Sequence, residues 1–273
     1  MGLLIVRLLT LLNTAPTDST FSHIALVLIT HYDRIGQLSI SDMAKLANVS
    51  KSTMSKFARK IGFDDYYDLK DNAPFVEDRF NNRLNYLTNI VDVLEKNDLN
   101  LYFKAIQEDI DILRMSIDRA AIDRLARQLV THDKVAAFGL LFSESAALDF
   151  QYKLAYNGKF IYTCQNDRQQ EQFIRNADAA TLIVTFTNSG NFVRQNQLIP
   201  GWPKKNSFAH SKAKIIAITA DPTLKDLDYI EDVILFPHQT NIQTHAFLYQ
   251  IIMDLIVARY RYYVQKAQKN SEL

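Results

Sequence analysis

A short segment of basic and hydroxyl side chains is the part of the sequence best suited to contact a nucleic acid. Between residues 50 and 60 there are four basic residues and no acidic residue. Lysine and arginine contact phosphates and guanine edges, while serine and threonine allow a close approach to the bases. On a helix these side chains would fit the major groove of double-stranded DNA. The candidate DNA-binding residues are Ser50, Lys51, Ser52, Thr53, Ser55, Lys56, Arg59 and Lys60.

The apolar residues around this segment predict two short helices joined by a tight turn at residues 48–50. Ser41 is expected to cap the first helix and Ser50 the second. Gly62 is placed to end the second helix. A solvated charged helix face is the alternative interpretation, but caps, turn and terminal glycine together favour a helix-turn-helix. The predicted buried residues are Met43, Leu46, Ala47, Met54, Phe57, Ala58 and Ile61.

The segment from Ile40 to Lys70 resembles the N-terminal domain of the RpiR (MurR/RpiR) family of transcription regulators. The resemblance implies an all-α helix-turn-helix domain that binds operator DNA. Lys56 stands where the family favours arginine, so it keeps a phosphate contact but lacks the two-pronged fork for guanine. The matching residues are Ser39, Ile40, Met43, Ala44, Val49, Ser50, Thr53, Phe57, Ile61, Gly62, Phe63, Tyr66, Leu69 and Lys70.

Short apolar runs alternate with helical stretches in the second half of the chain. This alternation predicts an α/β domain with a parallel five-stranded sheet flanked by helices. Ligands of such sheets bind at the carboxyl ends of the strands. Two polar loops lie there, residues 139–143 and 187–191, and both also suit ordinary strand-to-helix connections. The predicted strands are 135–138, 160–162, 182–186, 215–218 and 233–235.

Residues 134–235 resemble a SIS (sugar isomerase) domain, the usual C-terminal partner in RpiR-like regulators. The resemblance implies that hydroxyls of the two loops hold a sugar phosphate, and Ser143 is also expected to cap the helix after the first loop. Leu141 and Phe192 depart from the family by adding bulk near the expected phosphate. The matching residues are Gly139, Ser143, Ala147, Asp149, Lys153, Leu154, Gly158, Asp178, Thr187, Ser189, Gly190, Ala213, Ile218 and Thr219. The candidate ligand residues are Ser143, Thr187 and Ser189 from the resemblance, with Asn188 and Asn191 added on their chemistry.

A catalytic role for the second half would require a general base near the ligand. None of the candidate bases lies in a catalytic motif, and no spacing suggests zinc or a nucleophile. The sequence therefore predicts a sensor without cofactor or metal rather than an enzyme. A sugar-phosphate isomerase and a domain that only dimerises stay as alternatives. The candidate bases are Glu144, His210, Glu231, His238 and His245.

The whole chain sets the organisation in which these sites lie. It has 273 residues, 48% of them hydrophobic, and a net charge of +1, so DNA contact must come from a local patch. The single cysteine, Cys164, excludes an intrachain disulfide and suits a reducing cytoplasm.

The apolar run at residues 1–12 fits a signal peptide poorly and is too short to span a membrane, so it is expected to be a packed first helix. We predict a helix-turn-helix domain at 1–75, a helical connector at 76–116 and a SIS domain at 117–273. The protein is expected to be a cytoplasmic homodimer or homotetramer, with no membrane partner.

Overall fold

The computed structural model describes residues 3–73, 90–96, 98–140, 142–195, 206–237, 242 and 244–271. They fall into two compact units, which are considered one at a time: a unit of the described residues up to 73 and a larger unit of those from 90 onward. In these ranges no helix is both long and apolar enough to cross a membrane.

The first unit is all-α, as predicted, and its five helices share one hydrophobic core. The apolar run at the N-terminus forms the first helix, with Leu4 and Leu8 fully buried in that core. The helices are α1 (Leu3–Thr14), α2 (Thr20–Thr30), α3 (Ile40–Leu46), α4 (Lys51–Lys60) and α5 (Tyr66–Asp71).

Helices α3 and α4 form the predicted helix-turn-helix, with two corrections in α3. Leu46, which the sequence predicts to be buried, is exposed. Ser39, not Ser41, caps α3, because its side chain accepts a hydrogen bond from the Asp42 N–H. The turn between the helices passes through Asn48, whose φ of 51° is in the left-handed region that asparagine tolerates. Ser50 caps α4 as predicted.

The second unit contains a parallel sheet of four strands in the order β1-β2-β3-β4. The α/β class is confirmed, but the prediction of a fifth strand at 160–162 is wrong. Only Tyr162 pairs there, in a single bridge to Ala136. Phe160 is largely exposed, so the segment touches the sheet edge at one point and then leaves it. The strands are β1 (Lys134–Gly139), β2 (Thr181–Thr187), β3 (Lys214–Thr219) and β4 (Asp232–Leu235).

Helices cover both faces of this sheet. Side chains of α8, α9 and α12 form the core on one face, which we call face A. Side chains of α10 and α11 pack with Phe208 on the opposite face, face B. The carboxyl ends of all four strands meet at one edge, because the sheet is parallel. The helices of this unit are α6 (Asp92–Glu95), α7 (Leu99–Ser116), α8 (Arg119–Thr131), α9 (Phe142–Ala155), α10 (Asp167–Asn176), α11 (Asn191–Gln195) and α12 (His245–Ser271).

Candidate nucleic-acid interface and ligand loops

Helix α4 has one buried side and one exposed side. Met54, Phe57 and Ala58 are fully buried in the core of the first unit, and the Phe57 ring packs edge-on against Phe21 at 5.8 Å. Anchored in this way, the helix holds its opposite side outward. The predicted DNA-binding residues on that side are exposed at Lys51, Ser52, Lys56, Arg59 and Lys60 and half-buried at Thr53 and Ser55.

The four cations of α4 form no ion pair with any residue that the structure describes. Ser50 and Thr53 are engaged locally. The Ser50 hydroxyl accepts from the Thr53 N–H at 3.0 Å and lies 2.9 Å from the Thr53 hydroxyl. These two residues therefore fix the start of the helix, while the lysines and arginine extend into solvent.

The C-terminal end of α4 is fastened to α1. Gly62 has a φ of 98°, which only glycine adopts readily, so it ends the helix as predicted. Arg7 is almost fully buried, donates to the Gly62 carbonyl at 2.7 Å, and lies over the Phe63 ring at 4.6 Å. The single charge within the apolar N-terminal run thus positions the helix that carries the candidate DNA contacts.

The first ligand loop follows β1 and is tighter than expected. A side chain at Gly139 would collide with the backbone of Ser143. Only glycine therefore allows the close turn after which α9 begins at Phe142. Ser143 therefore lies inside the first turn rather than at the cap. Its hydroxyl is buried 3.3 Å from the hydroxyl of Tyr249 in α12, a partner that the sequence did not indicate. Leu141 lies outside the described residues.

The second ligand loop joins β2 to α11. Thr187 is buried at the end of the strand, while Asn188, Ser189 and Asn191 are half-buried. The Asn188 carbonyl accepts from the Ala220 N–H at 3.2 Å, which ties this loop to the end of β3. The Asn188 Oδ1 atom is buried without a hydrogen-bond donor among the described residues. The loop thus presents polar groups at the carboxyl edge of the sheet.

Phe192 lies in α11, directly after the second ligand loop. It is buried on face B and packs edge-on against Phe208 at 5.2 Å.

An arginine and an aspartate stand beside the second loop. Arg194 of α11 donates to Asp221 at 2.8 Å and also bonds to Thr223. Burial acts to raise the pKa of Asp221, but the hydrogen bonds from Arg194 and Thr223 outweigh it and hold the pKa below its usual value. The carboxylate is therefore charged at neutral pH and pairs with Arg194.

The side chain of Asp221 leaves no room for a side chain at Gly190. Its φ is +73°, and a Cβ there would lie 2.5 Å from Oδ2 of Asp221. Gly158 offers a matched control, since its φ is +77° and a Cβ would meet nothing within 4 Å. We expect Gly158→Ala to lower the free energy of unfolding by about 1 kcal/mol through backbone strain alone. Gly190→Ala should cost roughly 2–3 kcal/mol, because it adds the collision. Urea unfolding of the full chain measures both, and equal losses would contradict this account of Gly190.

Of the candidate bases, Glu144 lies nearest the first loop. Burial raises the pKa of its carboxyl to about 7, with a smaller contribution from the negative charge of Asp167. A substantial fraction of this carboxyl is therefore uncharged at neutral pH. It repels a phosphate in the loop less than an ordinary glutamate would.

The other candidate bases are scattered. His210 and Glu231 are exposed, His238 lies outside the described residues, and His245 is buried with its ring 5.7 Å from that of Tyr249. No group of three metal-ligating side chains occurs in the described part of the chain.

The fold of the first unit and the exposed face of α4 define a helix-turn-helix DNA-binding domain. Residues 14–72 match the model of the helix-turn-helix domain, rpiR family. The N-terminal unit is therefore a helix-turn-helix domain of the rpiR family.

Two curated relatives carry regulator names. The chain is 24% identical over 272 residues to an uncharacterised HTH-type transcriptional regulator from Providencia stuartii, covering 95% of this chain and 91% of the relative. It is 26% identical over 216 residues to the HTH-type transcriptional regulator HexR from Escherichia coli, covering 73% and 67%.

Two solved structures are also similar. One is Vibrio vulnificus NanR complexed with ManNAc-6P, with a TM-score of 0.46, 15% identity and coverage of 98% of this chain and 97% of that chain. The other is the sugar isomerase domain of an RpiR transcription factor from Sphaerobacter thermophilus, with a TM-score of 0.47, 13% identity and coverage of 63% and 99%.

Proposed function

We propose that this protein is a transcription regulator of carbohydrate metabolism. Helix α4 binds double-stranded operator DNA, and the α/β unit binds a sugar phosphate that changes the affinity for DNA. The observation that carries the proposal is the exposed face of α4, where Lys51, Lys56, Arg59 and Lys60 surround small hydroxyl side chains on a helix that itself contains no acidic residue. The regulator names of the relatives support the same function.

DNA binding follows from the helix-turn-helix geometry. The second helix of such a motif enters the major groove, and its first residues contact the bases. Ser52 and Ser55 are short enough to let the helix approach the base edges, while Lys56 and Arg59 reach phosphates or guanine. Two copies of the chain would present two such helices to half-sites about one helical turn apart, so the active form is a homodimer or homotetramer.

The sugar phosphate is assigned to the two loops at the carboxyl edge of the sheet. Backbone N–H groups and hydroxyls in such loops bind phosphate oxygens. Asn188 has a buried oxygen there with no donor among the described residues, which suits a sugar hydroxyl. Glu144 is partly uncharged at neutral pH, so it repels an anion less than an ordinary glutamate would. The ligand residues of the proposal are Ser143, Thr187, Asn188, Ser189 and Asn191. The ligand regulates by binding more tightly to one of the two forms, DNA-competent or incompetent.

One experiment tests both halves of the proposal. Duplexes selected from a random pool by the full chain supply an operator sequence, and fluorescence anisotropy then measures its affinity with and without a panel of sugar phosphates. We expect sequence-specific binding and at least one sugar phosphate that changes the affinity by 5-fold or more, the usual range of allosteric coupling, roughly 1–3 kcal/mol. A chain that selects no sequence would contradict the regulator function, and a panel without effect would contradict the effector.

An isomerase is the second candidate function, and Glu144 is the observation that favours it. A carboxyl with a pKa of about 7 can both accept and donate a proton at neutral pH. Turnover of a hexose phosphate by the full chain, lost in Glu144→Gln, would establish this activity. The helix-turn-helix unit has no role in such a reaction, which is why we place the regulator first.

A further inference from the structure

Gln170 is a buried polar residue that the two ligand loops do not include. It lies in α10, whose N-terminus is capped by the Asn166 side chain, and it is 1% exposed. Its Nε2 atom donates to the Gly139 carbonyl at 3.1 Å and to the Cys164 carbonyl at 2.7 Å. Since Gly139 is the last residue of β1, this amide touches the start of the first ligand loop.

The orientation of the amide is fixed by its neighbours. Both partners of Nε2 are carbonyl oxygens, which accept but cannot donate. A flipped amide would place its own oxygen against two other oxygens, so only the orientation with Nε2 toward the carbonyls is acceptable. The Oε1 atom therefore points away from Gly139 and Cys164, and it is buried with no donor among the described residues. Buried acceptors of this kind are rare in folded proteins unless a water or ligand satisfies them.

Further buried hydroxyls lie on the face of the sheet against which α10 packs. Side chains alternate between the faces of a strand, so Thr185 and Thr187 share face B with Ile183. Thr185 pairs with Phe138, the residue before Gly139, and Thr187 pairs with Thr219 of β3. The Thr185 hydroxyl is also buried without a partner in the described part of the chain. Uncharged polar groups from α10, β2 and β3 therefore gather toward the carboxyl edge on face B.

We infer that Gln170 accepts a hydrogen bond from a hydroxyl of the bound ligand and so selects a phosphorylated polyhydroxy compound over phosphate alone. This inference rests on the proposed function, because it places the sugar of the effector beside the loops that hold the phosphate. The phosphoryl group of a sugar phosphate dianion offers only acceptors and cannot satisfy Oε1, whereas a sugar hydroxyl can donate to it. Gln170 is thus a specificity-determining residue, and the loops supply the phosphate contacts.

The test compares ligands that differ in their hydroxyls. Calorimetric titrations of the full chain use inorganic phosphate, glucose 6-phosphate, mannose 6-phosphate and fructose 6-phosphate. In the wild type we expect at least one sugar phosphate to bind more tightly than phosphate. In Gln170→Met, which keeps the size of the side chain, this preference should shrink by roughly tenfold while the affinity for phosphate stays within about twofold. Gln172→Met, an exposed site on the same helix, is the matched control and should keep the preference.

Each other outcome overturns the inference in a distinct way. A preference that survives in Gln170→Met would mean that a water satisfies Oε1. An equal loss for phosphate and sugar phosphates would mean that Gln170 only supports the loop. A wild type without any preference would overturn the effector of the proposed function as well. If Gln170→Met does not fold, 2-deoxyglucose 6-phosphate and 3-deoxyglucose 6-phosphate are titrated into the wild type. If both bind as tightly as glucose 6-phosphate, the inference fails.

Discussion

A chain carrying Lys56→Ala and Arg59→Ala should bind operator DNA at least about 30-fold more weakly than the wild type. Each lost contact to a base or phosphate costs roughly 1 kcal/mol or more, and the two sites act on the same ligand. If both side chains contact phosphates, the slope of log affinity against log salt concentration should fall by about 2. The fold should survive, because both residues are exposed and the core side of α4 is unchanged. Anisotropy titrations at several salt concentrations measure both quantities.

A matched control separates this effect from a simple change of net charge. Lys212 and Lys225 are exposed residues of the α/β unit, and replacing both with alanine removes the same two charges. We expect the control to bind DNA within about twofold of the wild type, since neither lysine belongs to the helix-turn-helix unit. If the α4 double variant kept wild-type affinity, α4 would not be the DNA-binding helix. If the control lost as much affinity, the effect would be one of overall charge.

The helix-turn-helix could be predicted from the sequence because its determinants are local. The cap at Ser50, the turn before it and the glycine at 62 lie within a few residues of the helix that they define. The error at the start of α3 is of the same local kind. Ser39 and Ser41 both have the chemistry of a cap, and the choice between them depends on which one leaves the Asp42 N–H in reach. Only the backbone path decides that.

The ligand region was less predictable because its polar groups come from distant parts of the chain. Ser143 meets Tyr249 across 106 positions, and Gln170 meets Gly139 across 31. Neither partner belongs to a local motif, so spacing gave no signal for Tyr249 or Gln170. A buried glutamine on a helix with mostly polar neighbours looks like a surface residue in the sequence. Its contacts become visible only when the fold places the carbonyl oxygens of Gly139 and Cys164 on one side of it.

The wrong prediction of a fifth strand has a related cause. The run 160–162 has the aromatic and β-branched composition of a strand, and its composition alone could not show how far it stays beside β1. In the structure Tyr162 exchanges hydrogen bonds with the strand, donating to the Val135 carbonyl and accepting from the Ala137 N–H, both at 2.8 Å. After this one paired residue the chain leaves β1 and continues to α10. This departure brings the Cys164 carbonyl to Gln170, so the missing strand and the unexpected polar contact share one origin.

The second large effect is expected at the ligand loop after β2. The double variant Thr187→Val, Ser189→Ala removes two hydroxyls that we assign to the phosphate of the effector. Hydrogen bonds to a charged group contribute roughly 1.5–3 kcal/mol each, so the affinity for the sugar phosphate should fall at least about 100-fold. The unliganded protein should keep nearly the same melting temperature, since valine preserves the shape of the buried Thr187 and Ser189 is only half-buried. Thermal shift with the most effective sugar phosphate of the panel measures both.

The control for this variant makes the same chemical change away from the ligand edge. Thr131 ends α8 just before β1 begins, which places it at the amino edge of the sheet, and Ser116 ends α7 on the surface. The control Thr131→Val, Ser116→Ala should keep the full ligand response. If the loop variant still responded to the sugar phosphate as the wild type does, the phosphate would not lie in this loop. If the loop variant bound DNA normally without ligand, and no sugar phosphate changed that affinity, the result would support this loop as the effector site.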